Sequence, residues 1–183
     1  MTLVLQLPSS ARHLLQMDPQ VSESGNSSHE YIFAADLLTF VLGQYKISWR
    51  WPLYPTGTTQ HFFRPSIGRA ISNFMIQKTA IIRDTIQSVM PENGSWNPEN
   101  LKLMLNLVLL QRPGKEFGML VTVNAYLCHI GVSLARRGDL RLVDDIVGII
   151  AYVMRVLVGN ENWRWLEAHA EGFNKIVRIP GGA

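Results

Sequence analysis

The 183-residue sequence predicts an all-α fold, a helical bundle around a central apolar hairpin. Two long segments carry that expectation. Phe117 to Leu134 is apolar on every side, which marks a helix enclosed by others. Leu142 to Val158 is again nearly all apolar, and Arg136-Arg137-Gly138-Asp139 between the two reads as a turn with Asp139 as a cap. Elsewhere apolar residues recur at helical spacing, and almost nothing shows the two-residue alternation of strands. Helices packed round such a hairpin form an established all-α architecture.

The elements follow in order. Residues 1–28 are expected to form a flexible leader, because the chain from Ser9 to Ser28 is rich in Ser, Gly, Asn and Gln. The apolar Thr2–Leu7 run is short, has no basic stretch before it and is broken by Pro8, so it does not read as a targeting signal. The helical domain spans 29–177, with a tail over 178–183. Ser27-Ser28-His29-Glu30 matches a capping box. The helix it starts runs from Tyr31 to Gln44, with Ile32, Ala35, Leu38 and Leu42 at helical spacing. Pro52, Pro55 and Gly57 mark a loop that lasts to Gln60. Pro65 suits the first turn of a helix that runs to about Val89 and stops before Pro91. Asn97-Pro98-Glu99 combines a cap, a first-turn proline and an acid, and opens a helix to about Leu110. Asp144 and Asp145 lie near the positive end of the Leu142–Val158 helix, where acids are favoured. Asn160 and Asn162 then offer caps for a short last helix through Ala170.

Composition narrows the function classes. With 47% hydrophobic and 17% charged residues, the chain suits one globular domain with a sizeable core. The net charge of +3 is mildly basic, but no basic run exceeds Arg136-Arg137, so a nucleic-acid partner is not expected. Cys128 is the only cysteine, which excludes an internal disulfide and a cysteine metal cluster and is compatible with the cytosol. The histidines His13, His29, His61, His129 and His169 lack metal-ligand spacing. The sequence holds no Gly-rich phosphate loop, His-Glu-x-x-His or nucleophile elbow. No cofactor is therefore expected, and the chain does not read as an enzyme. The uncharged run from Gly118 to Leu134 falls short of a ~20-residue membrane span. It also contains Asn124 and His129, so a buried central helix explains it better.

Four segments carry a family resemblance. The helix Ala34-Ala35-Asp36-Leu37-Leu38-Thr39-Phe40-Val41-Leu42-Gly43-Gln44, trailed by Tyr45-Lys46-Ile47-Ser48-Trp49, resembles the fourth homology region of the Bcl-2 family. Ile67-Gly68-Arg69-Ala70-Ile71-Ser72-Asn73-Phe74 occupies the place of the third, with Phe63, Ile67, Ala70 and Phe74 on one face. Glu116-Phe117-Gly118-Met119-Leu120-Val121 resembles the first, usually Asn-Trp-Gly-Arg and two aliphatics. Asn160-Glu161-Asn162-Trp163-Arg164-Trp165-Leu166 resembles the second. The resemblance covers Tyr31 to Phe173, and it rests on the order and spacing of the motifs. It implies a Bcl-2-like bundle with a surface groove. The protein would then be an apoptosis regulator, pro-survival, that binds the amphipathic death-motif helices of pro-apoptotic Bcl-2 relatives. It also implies a cytoplasmic protein associated with the mitochondrial outer membrane. The sequence ends at Pro180-Gly181-Gly182-Ala183 without a hydrophobic tail, so an anchor is expected to have been removed or never present.

The departures shape the expected site. Ser72 and Ile71 stand where the third region has Asp and a small residue, which makes this chain's own motif a poor ligand and favours a receptor. Met119 stands where the first region has the Arg that pairs with the ligand's Asp. A ligand is then held mainly by apolar contact, or by another cation such as Lys78. Carrying over motif positions nominates Phe74, Lys78, Ile81, Ile82, Glu116, Gly118, Met119 and Val123 as groove residues. Gly118, lacking a side chain, would let a ligand backbone approach closely.

Plainer roles stand beside these. Phe74, Ile81 and Ile82 would be core in any bundle. Gly118 could simply end one helix and start another, Lys78 be a solvated charge, and Trp163 and Trp165 packing residues. A pore-forming pro-death effector that inserts its hairpin into a membrane, and an unrelated helical ligand-binding domain, are the other classes left open.

Overall fold

The computed structural model describes residues 29–55, 62–90, 96–110, 116–158 and 163–176. Among these residues the chain forms seven helices and no strand: α1 (His29–Gln44), α2 (Pro65–Gln77), α3 (Thr79–Val89), α4 (Pro98–Leu110), α5 (Glu116–Arg136), α6 (Leu140–Val158) and α7 (Trp163–Ile176). The fold is all-α, as the periodicity predicts. The expected leader and tail, Ser27 of the capping box, and Asn160 and Asn162 lie outside the described residues.

α5 is the centre. It packs against α1, α2, α3, α4 and α6, and every residue from Met119 to Cys128 is buried. Such enclosure is the only way water can be kept from a helix that is apolar all round. Its polar residues satisfy themselves locally. The Thr122 hydroxyl donates to the Gly118 carbonyl at 2.7 Å, and Asn124 Nδ2 donates to the Leu120 carbonyl at 2.9 Å. Asn124 Oδ1 is buried without a partner.

α6, nearly all apolar in the sequence, is enclosed on one face. Val143, Ile146, Val147, Ile150, Ala151 and Met154 form a buried face against α5 and α1. Ile149, Tyr152, Val156 and Leu157 are only half-buried on the other side. That side also carries the exposed Arg141, Asp145 and Arg155, so charge in the sequence already separates the two faces.

The helix ends follow local chemistry. Asn97 caps α4, its Oδ1 accepting from the Asn100 backbone N–H at 2.9 Å, with Pro98 in the first turn. Asp139 Oδ1 accepts from the Leu142 N–H at 3.4 Å at the start of α6. The expected single helix from Pro65 to Val89 is instead two, broken at Lys78, whose ψ of 16° leaves the helical range. No proline or glycine announces this break. The Thr79 hydroxyl stabilises it by donating to the Met75 and Ile76 carbonyls at 2.7 and 2.9 Å, serving groups that the end of α2 leaves unpaired. α7 runs to Ile176 rather than Ala170, because its last turns pack on α2. There Asn174 Nδ2 donates to the Ser66 carbonyl at 2.8 Å, and Asn73 Nδ2 donates to Asn174 Oδ1 at 3.2 Å.

Candidate functional site

The nominated residues gather on α2, α3 and the first two turns of α5. The fold divides them into an exposed rim and a buried floor. Ile81 in the first turn of α3 is 50% exposed, and Lys78 is exposed at the α2–α3 junction. Phe74 is half-buried and packs on the core. Ile82 and Val123 are fully buried and Met119 nearly so. Gly118 is half-buried in the first turn of α5. Glu116 opens α5, and its side chain lies outside the described residues.

Two rim residues escape motif carry-over. Ile76, at the end of α2, is 56% exposed, and Leu103, on α4, is 48% exposed. With Ile81 they are three of the six large hydrophobics exposed among the described residues. The signal for Ile76 in the sequence is its place on the polar side of an amphipathic helix. Ile76 follows the buried Met75, and Ile81 precedes the buried Ile82. Consecutive helical residues point about 100° apart, so each pair spans two faces.

The floor is closed in this conformation. α3 packs on α4, α2 and α5, and the Tyr126 hydroxyl on α5 donates to Thr85 Oγ1 on α3 at 3.3 Å. A ligand would touch the rim directly, and Ile82 and Val123 only after α3 moved outward. The apolar face of α2 is also occupied: Ile67, Ala70 and Ile71 are fully buried, and α7 is fastened across the helix by Asn174.

The start of α7 is an aromatic clasp. Phe117 at the start of α5 meets Trp165 at 6.0 Å and Phe173 at 6.2 Å between ring centroids. Trp163 packs 5.1 Å from Phe33 of α1 and 5.2 Å from Phe62. Trp163 and Trp165 are half-buried packing elements, the plainer of their two expected roles. Cys128 is fully buried, and that burial pushes its thiol far above the usual range. Among the described residues no group of three or more His, Cys, Asp or Glu side chains comes together to hold a metal ion. Comparison with protein-family models, curated proteins and solved structures finds no match to this chain.

Proposed function

We propose that the chain is a Bcl-2-like apoptosis regulator of the pro-survival kind, which receives the amphipathic death-motif helix of a pro-apoptotic relative. The observation that carries this reading is the exposure of three large aliphatics, Ile76, Ile81 and Leu103, on α2, α3 and α4. Exposed aliphatics on neighbouring elements are costly in a soluble monomer and typical of a surface that receives an apolar helix face. The places of the four motif-like segments support it: α1, α2, the start of α5, and the start of α7. The receptor role is favoured over the donor role because the apolar face of α2 is already buried. Association with the mitochondrial outer membrane belongs to the same proposal.

One observation keeps the pore-forming reading in view. Phe117–Arg136 is long and apolar enough to cross a membrane by length and composition, although 83% of its most apolar window is buried, as in the core helix of a soluble protein. Two measurements on the pure chain test the proposal. Death-motif peptides titrated against it should change its tryptophan fluorescence saturably, and the chain alone should leave vesicles of mitochondrial lipid composition sealed. Leakage without peptide binding would replace the receptor by the effector, and neither response would sink both. With Met119 in place of a cation, changing the ligand's Asp to Ala should cost less than ~1 kcal/mol, the scale of a screened rim charge. A loss of ~3 kcal/mol or more would mean that a desolvated ion pair had been broken and that Lys78 or another cation serves it.

A further inference from the structure

A second concave site lies where α3, Trp96 and the C-terminal half of α5 meet. It is a cleft of about 170 Å³, and none of the residues nominated for helix binding lines it. Its walls are the buried Ile86, Ile130 and Trp96. Its donors come in two helical rows. Arg83 and Gln87 stand one turn apart on α3, and His129, Ser133 and Arg137 stand one turn apart along α5 and its end. Among the described residues that line it none is acidic. Asp84 lies nearby, its Oδ1 3.7 Å from Arg83 Nε, but both side chains are well exposed and such a contact holds weakly.

We infer that this cleft binds a phosphate group carried on a small apolar or aromatic body. Arginine guanidinium forks match the geometry of phosphate oxygens, and the Ser and Gln side chains add neutral donors. Trp96, Ile86 and Ile130 would face the carbon portion. The volume suits a phosphate head on a small body. The local field agrees. Burial lowers the His129 pKa, and the charges of Arg136 and Arg83 lower it further, so cationic side chains stand near its ring. The carbonyl ends of α3 and α5 oppose an anion, each by about half a charge, and the guanidinium groups of Arg83 and Arg137 supply the attraction. The last turn of α5 is also capped by backbone bonds from Gly138 and Asp139.

The test is a titration of isotope-labelled protein with phenyl phosphate, followed by NMR at the Trp96 indole and the His129 ring. Saturable shifts at both are expected. Arg83→Gln and Arg137→Gln should each weaken binding about tenfold, the scale of one charge-assisted hydrogen bond. Arg155→Gln removes an exposed charge of α6 outside the cleft and should change affinity less than about twofold. All three arginines are exposed, so the variants keep the core. Vesicles containing phosphatidic acid separate the two sources of the group. Capture that depends on Arg83 assigns a lipid head, and phenyl phosphate binding without capture assigns a soluble phosphomonoester. Shifts that fail to saturate, or an equal loss in Arg155→Gln, overturn the assignment.

Discussion

Two helix ends show how much one residue's backbone decides. α1 and α5 close with the same pair of backbone bonds. In α1, Ile47 N–H bonds the Leu42 carbonyl and Lys46 N–H the Gly43 carbonyl, both at 3.0 Å. In α5, Asp139 N–H bonds Leu134 and Gly138 N–H bonds Ala135, at 3.0 and 3.1 Å. Each closure needs one residue in the left-handed region. Gly138 takes it at φ 80°, and Lys46 takes it at φ 60° against its own Cβ. Lys46→Gly should therefore raise unfolding free energy by ~0.5–1 kcal/mol, and Gly138→Ala should lower it by ~1–2 kcal/mol, both read from urea denaturation. His129 supplies a pH signature. Burial first, then Arg136 and Arg83, hold its folded pKa below the ordinary 6.5, so the unfolded chain binds the proton more readily. The stability this contributes is complete above pH 6.5 and is lost as pH falls through the folded pKa. Asp144 and Asp145, raised by burial, act in the opposite sense: their contribution is complete below pH 3.8 and is lost as pH rises through their folded values. Melting temperature should thus fall on acidification below pH 6.5 in the wild type and fall less in His129→Gln.

At the scale of elements, the crossing of α1 and α2 rests on Gly68. A Cβ there would lie 2.5 Å from Cδ1 of Phe40 and 2.8 Å from Cζ of Phe63, so two aromatic rings would have to shift together. Gly68→Ala should cost ~1–3 kcal/mol, the usual penalty of overpacking. Gly43, also helical, has nothing within 4 Å of such a Cβ, and Gly43→Ala should instead stabilise by up to ~1 kcal/mol through helix propensity. Opposite signs for two identical changes, measured by chemical denaturation, check the packing directly. The sequence made legible those element features that depend on neighbours in the chain. The Asn97 cap, the Asp139 cap and the arrest of α3 before Pro91 all rest on short-range chemistry. The break at Lys78 was hidden, since Thr79 bonding back to Met75 and Ile76 is a geometry that a threonine in mid-helix could equally avoid. The extension of α7 to Ile176 was hidden too, because Asn174 meets Ser66 and Asn73 only once the fold has brought them together.

Over the whole molecule, enclosure of α5 was readable because an all-apolar helix has one stable solution, whereas α6 carries Arg141, Asp145 and Arg155 and buries only the face opposite them. The candidate site divides the same way. Motif positions nominate Ile81, which is exposed, and Gly118, which is half-buried, but nothing in spacing shows that Ile82 and Val123 are fully buried. Gly118 therefore offers the sharpest test of the proposed helix receptor. It is half-buried in the first turn of α5, and its carbonyl is occupied by the Thr122 hydroxyl. A carboxylate in a helix's first turn suits the positive end of the dipole, so Gly118→Glu on an open surface has no reason to unfold the bundle. A ligand helix passing over that glycine would meet both the new side chain and a charge like that of its own acid. The expected outcome is a melting temperature within a few degrees of wild type and a loss of at least ~2 kcal/mol in death-motif peptide affinity, the scale of an interface hot spot. Unchanged affinity would place the ligand elsewhere. A collapse of melting temperature and affinity together would mean that Gly118 packs inside the core, where a carboxylate without a partner destabilises the whole fold.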